Sequence, residues 1–328
     1  MQTVTSRRVM DEIIVSNDRV DDTRAPLFSI VIPTYARPQI LRECLTAVSR
    51  LNARENFEVI VVDDGSPEPV GPVVEAFSET LPIRLLQRPR GGPALARNTG
   101  ASVARGRYLA FTDDDCRPAP DWLTALGTAF ERDGRRLLGG RVENSLVHNA
   151  YSEASERIGQ FVYEYNRNIG AQEPFFTTNN LAVCAEHFRD VGGFTSLIPS
   201  ATAEDKEFCD RWRAHGLPLA HVPDAVVFHA HHLSFRGFVR QHYNYGRGIL
   251  AFRLLRRGRG NTQGMVPEPL TFYLDLLASP LRHHTRARRW RLVGLLACSQ
   301  VATAAGALVQ LLRWRQLKRV RATTTTEA

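Results

Sequence analysis

Three stretches of this chain, "LFSIVIPTY" (27–35), "FEVIVVDDGS" (57–66) and "YLAFTDDD" (108–115), each carry an unbroken apolar run that ends on polar or acidic residues. An apolar run without polar alternation marks a strand covered on both faces. Helices supply that cover, so strand and helix patterns should alternate along the chain. They do. Pro38 suits the first turn of a helix, and Ile40, Leu41, Cys44, Leu45, Val48 and Leu51 recur on one helical face. "IRLLQ" (83–87) reads as a further strand, followed by a glycine-proline turn and a helix through "ALARNTGASVA". The expected fold class is therefore α/β with a parallel central sheet, where ligands bind beyond the carboxyl ends of strands. "VVDD" and "AFTDDD" place acids at two such ends.

Asp113, Asp114 and Asp115 are the most demanding of these. Carboxylates so close repel and raise one another's pKa, so something positive belongs among them. A helix cap before "PAPDWLTALGTAF" would account for one of the three. A hard divalent ion accounts for more, since Mg²⁺ is held by one or two carboxylates plus substrate phosphates. Alternate residues at a strand end point to the same side, which pairs Asp113 with Asp115. Asp63-Asp64-Gly65-Ser66 reads either as an ordinary turn or as acids accepting from a nucleotide base or ribose. In "GGPALARNTG" (91–100) the glycines allow close backbone approach and Arg97 can pair with a phosphate, although nothing matches GxxxxGK[ST]. Glu204-Asp205 opens the helical pattern "AEDKEFCDRWRAHG", either favouring the helix dipole or offering a general base. In "FHAHH" (228–232), His229 could complete a metal site beside the aspartates, or the histidines are simply surface or core residues.

The second half is less regular, and residues 141–180 read as loops. "FFTTNNLAVCAEHFRDVGGF" (175–194) suggests a strand or loop, a short helix and a glycine turn, and "LAHVPDAVVFH" (219–229) holds strand-like segments. Five widely spaced cysteines without a CxxC pair argue against a disulfide framework or zinc finger and suit a reducing compartment. The first 25 residues form a polar lead-in without the apolar core of a secretory signal. From His229 onward 17 Lys/Arg face three acids, about +14, which leaves about −6 for residues 1–228 of the total +8. Within that basic region Leu292–Leu312 runs 21 residues without a charge, flanked by arginines and by Trp290 and Trp314. This is close to the ~20 residues that span a bilayer. Ser299, Gln300, Thr303 and Gln310 dilute it, and basic flanks at both ends favour peripheral attachment to an anionic cytoplasmic leaflet. A soluble helix packed on the protein is the alternative. Nucleic acid is not the expected partner, because the arginines flank an apolar stretch.

In this order and spacing, "SIVIPTYARP", "VIVVDDGS", "GGPALARNTGASVARGRYLAFTDDDCRPAPDWL", "VGGF" and "AEDKEFCDRW" resemble the family 2 glycosyltransferases, inverting enzymes with the GT-A fold. The likeness covers about residues 27–230. It implies a GT-A domain at 26–264, between the 1–25 lead-in and a helical, membrane-associating tail at 265–328. It also implies roles. Pro33, Thr34 and Tyr35 lie where the first strand end meets the donor base, Asp63 and Asp64 contact the nucleotide, and Asp113 and Asp115 carry Mg²⁺ or Mn²⁺ with Asp114 beside the donor. Asp205 is the base of the Glu204/Asp205 pair. The implied donor is a nucleotide-sugar, a UDP-sugar as first choice, and the implied acceptor is a saccharide or lipid-linked hydroxyl. The implied setting is cell-envelope or other polysaccharide or glycolipid synthesis. The QxxRW motif of processive synthases is missing, with "RQHYNYGRG" in its region, so single-sugar transfer is expected. A nucleotidyltransferase on a similar sheet and a non-catalytic nucleotide-sugar-binding module are the rival readings.

Overall fold

The computed structural model describes residues 14–16, 25–52, 56–168, 175–198, 202–260, 268–282 and 286–326. The chain divides into two compact units. The first comprises Met1–Val142, Thr178–Gly193 and Val222–Val227, and the second Glu143–Thr177, Phe194–His221 and Phe228–Ala328.

The described strands form one nine-stranded sheet: β1 (Ile14–Ser16), β2 (Phe28–Thr34), β3 (Phe57–Asp63), β4 (Ile83–Gln87), β5 (Tyr108–Phe111), β6 (Cys116–Pro118), β7 (Leu137–Asn144), β8 (Leu181–Cys184) and β9 (Leu219–His229). Their spatial order is β1-β4-β3-β2-β5-β8-β7-β9-β6. β4, β3, β2 and β5 are parallel, whereas β8 runs antiparallel to β5 and β1 antiparallel to β4. The sheet is thus mixed, with the expected parallel part at its centre. Every residue of β2 is buried, the polar Ser29 and Thr34 included, as a strand covered on both faces requires. β2 has β3 on one side and β5 on the other, so strand order reverses there, and clefts form at the carboxyl ends of such switch points.

Helices α1 (Pro38–Val48), α2 (Gly71–Glu75), α3 (Pro93–Val103), α4 (Trp122–Arg132) and α6 (Ala185–Val191) belong to the first unit. α1 buries Leu41, Cys44, Leu45 and Val48, four of the six apolar positions read from its sequence. Under the sheet, Tyr108 and Phe130 stack with centroids 3.8 Å apart, and Phe28 lies tilted against both. Two buried polar groups are fully answered by partners. Glu58 accepts from Ser29 Oγ at 2.7 Å, Arg84 Nη2 at 2.8 Å and the Arg105 amide at 2.7 Å. Asn180 accepts from Trp122 Nε1 at 2.9 Å and donates to the carbonyls of Arg141 and Ala225.

The second unit contains α5 (Ala150–Asn168), α7 (Glu204–Ala214), α8 (Phe235–Gly258), α9 (Leu270–Ala278) and α10 (Arg286–Thr326). α7 buries Phe208, Cys209 and Trp212, while its Glu207 and Asp210 receive Arg259 at 2.5 and 2.9 Å. α8 and α10 touch backbone to backbone. A Cβ on Gly246 would lie 1.9 Å from the Thr303 carbonyl oxygen, and one on Gly306 would lie 1.9 Å from that of Tyr243. No side chain fits either point. Thr303 Oγ1 donates across the crossing to the His242 carbonyl at 3.2 Å. Such small-residue crossings occur wherever two helices must approach closely, in membranes and in water.

Two expectations need adjusting, over 108–115 and over 141–180, and two others gain detail. The strand read over 108–115 stops at Phe111, and the three aspartates occupy a turn closed by the Cys116 amide on the Asp113 carbonyl at 3.0 Å. Within the polar lead-in, Ile14–Ser16 pairs with Leu85–Gln87. The loops read over 141–180 contain the 19-residue helix α5. The apolar stretch 292–312 is the middle of a 41-residue helix. The boundary placed at 264/265 lies outside the described residues.

Candidate active site

The carboxyl ends of β2, β3 and β5 bring together most of the residues singled out in the sequence. Thr34 pairs in register with Asp63 at the ends of β2 and β3. β5 stops short, at Phe111 opposite Val31, and the turn that follows folds the aspartates back over the end of β2. Thr34 Oγ1 there donates to Asp114 Oδ2 at 2.7 Å.

The positive charge demanded by three adjacent carboxylates comes from two arginines. Arg97, buried on α3, donates from Nη2 to Asp113 Oδ1 at 2.5 Å. Arg37, just before α1, donates from Nη1 to Asp115 Oδ2 at 3.1 Å and from Nη2 to Asp114 Oδ1. The carboxylates sharing one guanidinium are therefore the neighbours Asp114 and Asp115, not the alternate pair expected of an extended strand end. Burial pushes Asp114 up to about 7 against the opposing pull of Arg37. Burial likewise raises the thiols of Cys44 and Cys116 well above their ordinary value, which keeps both protonated.

The "DDGS" residues are held by the chain itself. Asp63 Oδ1 accepts from the Ser66 amide three residues on at 2.9 Å, which closes the turn after β3. Asp64 accepts from Arg88 and from the amides of Gly91 and Gly92 at 2.9 and 2.7 Å, so it fixes the glycine loop before α3. Gly65 has a φ of 77°, and a Cβ there would meet the Arg90 amide nitrogen at 2.8 Å. Tyr35 lies under Arg90, whose Cζ is 4.0 Å from the ring centroid and whose Nη1 donates to the Tyr35 hydroxyl at 2.8 Å. Ala36, at φ 54°, is the one described non-glycine residue with positive φ. That conformation costs an alanine roughly 1–2 kcal/mol. Its amide donates to Ser66 Oγ at 2.8 Å, and the turn it makes delivers Arg37 to the aspartates. Sequence reasoning passed over Arg37, Arg88 and Arg90. The doublet of acids facing each of the first two was the available signal.

In the second unit Glu204 and Asp205 open α7, where the helix dipole favours negative charge. Glu204 is 5% exposed, whereas Asp205 is half-buried and accepts its neighbour's amide at 2.7 Å. Asp205 is the more accessible acid. His229 ends β9 with its ring 5.1 Å from that of His231, and its carbonyl accepts from the Ser145 amide.

Residues 29–192, half of the chain, match the family model for glycosyl transferase family 2. The chain belongs to that family. It is 27% identical over 301 residues to glycosyltransferase AglE of Haloferax volcanii, covering 88% of this chain and 97% of AglE. It is 31% identical over 226 residues to the pre-mycofactocin glycosyltransferase of Mycobacterium tuberculosis, covering 66% of this chain and 46% of that protein. Among solved structures, the mannosyltransferase PcManGT of Pyrobaculum calidifontis superimposes with a TM-score of 0.56 at 22% identity, over 96% of this chain and 87% of that one. The chain spans nearly all of AglE but about half of several other curated relatives. Fold and enzyme class follow: a GT-A sheet flanked by helices, carrying a family 2 glycosyltransferase.

The acid turn of this glycosyltransferase has the chemistry to take a hard divalent cation. Asp113, Asp114 and Asp115 offer carboxylate oxygens, Asp115 is 8% exposed and the Asp113 side chain 26% exposed, and Cys116 Sγ lies 3.9 Å from Asp115 Oδ1. The carboxylate oxygens suit Mg²⁺ or Mn²⁺, hard cations that take oxygen ligands.

Proposed function

We propose that this glycosyltransferase moves a single sugar, with inversion, from a nucleoside-diphosphate sugar to an acceptor hydroxyl, in a reaction that depends on Mg²⁺ or Mn²⁺. The observation that carries the proposal is the gathering of Thr34, Asp63, Asp64, Arg97 and Asp113–Asp115 at the carboxyl edge of a switch-point sheet. Asp63 and Tyr35 serve the nucleotide, Asp64 holds the glycine loop in place beneath it, and Asp113 and Asp115 hold the cation. The bound cation supplies charge neutralisation at the diphosphate leaving group. Asp205, the more accessible member of its pair, takes the proton from the acceptor hydroxyl as it attacks the anomeric carbon from the face opposite the diphosphate. PcManGT was solved with GDP-Man and Mn²⁺, which supports a nucleotide-sugar donor and a divalent ion here. A UDP-sugar is the first candidate donor and a saccharide or lipid-linked hydroxyl the acceptor, in cell-envelope or related glycan synthesis. Incubation with UDP- and GDP-sugars and Mn²⁺ should release free nucleoside diphosphate. Release of inorganic pyrophosphate instead would identify a nucleotidyltransferase and overturn the proposal.

A second part of the proposal places the enzyme peripherally on an anionic membrane, at the cytoplasmic face. Arg288–Gln316 is long and apolar enough to cross a bilayer, and about a third of its apolar window is buried in the protein. Val301, Leu308 and Leu312 on α10 are exposed, and so are Leu270 and Leu274 on α9. Arginines on either side supply the charge that anionic lipid attracts. Because α8 needs α10 at the glycine crossing, truncation is a poor test. Replacing Val301, Leu308 and Leu312 together with glutamate leaves that crossing intact. The wild-type protein should float with anionic liposomes and the triple variant should not. A wild-type protein that ignores such liposomes sinks the membrane assignment.

A further inference from the structure

Two guanidiniums balance the acid turn, and they differ in one respect. Arg97 is locked in place, with a side chain 4% exposed. Arg37 has a side chain 42% exposed, while its partners Asp114 and Asp115 are 0% and 9% exposed. The acids cannot leave, because they are part of the buried turn. Arg37 can swing into water without disturbing the sheet.

We propose that Arg37 is a positioning residue, a built-in counterion that holds the Asp114–Asp115 pair in shape and is exchanged for the divalent cation when it arrives. The inference rests on the metal-dependent reading above. Arg37 and the cation compete for the Asp115 carboxylate, which the reading above gives to the cation and which Arg37 Nη1 holds at 3.1 Å, so Arg37 sets the cation concentration at which the site fills. The strained turn at Ala36 is what aims Arg37 at these oxygens, since Ala36 N is tied to Ser66 and α1 begins directly after Arg37. The same turn carries Tyr35, so exchange at Arg37 is coupled to the residue that flanks the nucleotide position.

The test uses the full chain and MnCl₂ alone, with free Mn²⁺ followed by electron paramagnetic resonance. Arg37→Gln should bind Mn²⁺ about tenfold more tightly than wild type, the worth of one displaced charge-assisted pair. Arg37→Lys, which keeps the charge, should stay near wild type. Equal affinity in wild type and Arg37→Gln overturns the role of Arg37 while leaving the metal site standing. No Mn²⁺ uptake by either protein overturns the metal reading, and this inference falls with it. A measurement on unmodified protein guards against a variant that fails to fold. Mn²⁺ should speed labelling of Arg37 by phenylglyoxal, read by mass spectrometry, because the guanidinium is released from its carboxylates. Slower or unchanged labelling counts against the exchange.

Discussion

Asp205→Asn is expected to lower turnover by about 10²–10⁴, the usual worth of general-base help, while leaving Mn²⁺-dependent donor binding at the wild-type level. The substitution is nearly isosteric and sits on the accessible first turn of α7, so the melting temperature should barely move. Its side chain accepts the Lys206 amide at 2.7 Å, and an asparagine oxygen can do the same. The decisive comparison is Glu204→Gln. Glu204 is buried, so its replacement should act on stability more than on rate. If Glu204→Gln is instead the variant with the larger loss of turnover at unchanged stability, the base has been assigned to the wrong member of the pair.

Asp115→Asn and Asp113→Asn should abolish transfer by a different route. Each removes a carboxylate from the turn, and the loss of a hydrogen-bonded charge is typically worth roughly 1.5–3 kcal/mol, or about 10–100-fold in nucleotide affinity with Mn²⁺ present. Without the cation the variants should bind nucleotide about as weakly as wild type, which separates a metal effect from damage to the nucleotide contacts. Stability should not fall steeply, because each change also relieves repulsion within a run of three acids. Titration calorimetry with nucleoside diphosphate, with and without Mn²⁺, makes the comparison. Full wild-type activity in EDTA would be incompatible with this assignment.

What could be read from the sequence depended on how local the cause was. β2, β3 and β5 announce themselves because burial on both faces writes an apolar run into adjacent residues. Asp63, Asp64 and Asp113–Asp115 follow, since the ends of such runs lie at one edge of a parallel sheet. The geometry within the acid turn was less accessible. Assuming the strand continued past Phe111 paired Asp113 with Asp115, although a run of aspartates is itself a turn signal. Arg37 is 77 and 78 residues from its partners, and only the adjacency of β2 and β5 brings them together. α5 was legible and was missed. Tyr151, Ala154, Ile158, Phe161 and Tyr165 recur at helical spacing, but the charged residues between them made the stretch look like loop. Asp64 shows a different limit, because an acid that serves a ligand and an acid that pins a glycine loop look alike in one dimension.

The crossing of α8 and α10 has a consequence for how this chain can change over time. Most helix contacts tolerate drift because side chains of different size can trade volume across the gap. Here main chain meets main chain at Gly246 and Gly306, with no adjustable atoms between. A one-residue insertion or deletion in either helix near the crossing would rotate the glycine off the contact by about 100°. A Cβ would then be driven into a carbonyl oxygen. Length variation in related chains should therefore collect outside the two helices, before Phe235, between Gly258 and Arg286, or beyond the crossing toward the carboxyl terminus, while the spacing from Gly246 to the start of α8 and from α10's start to Gly306 stays fixed.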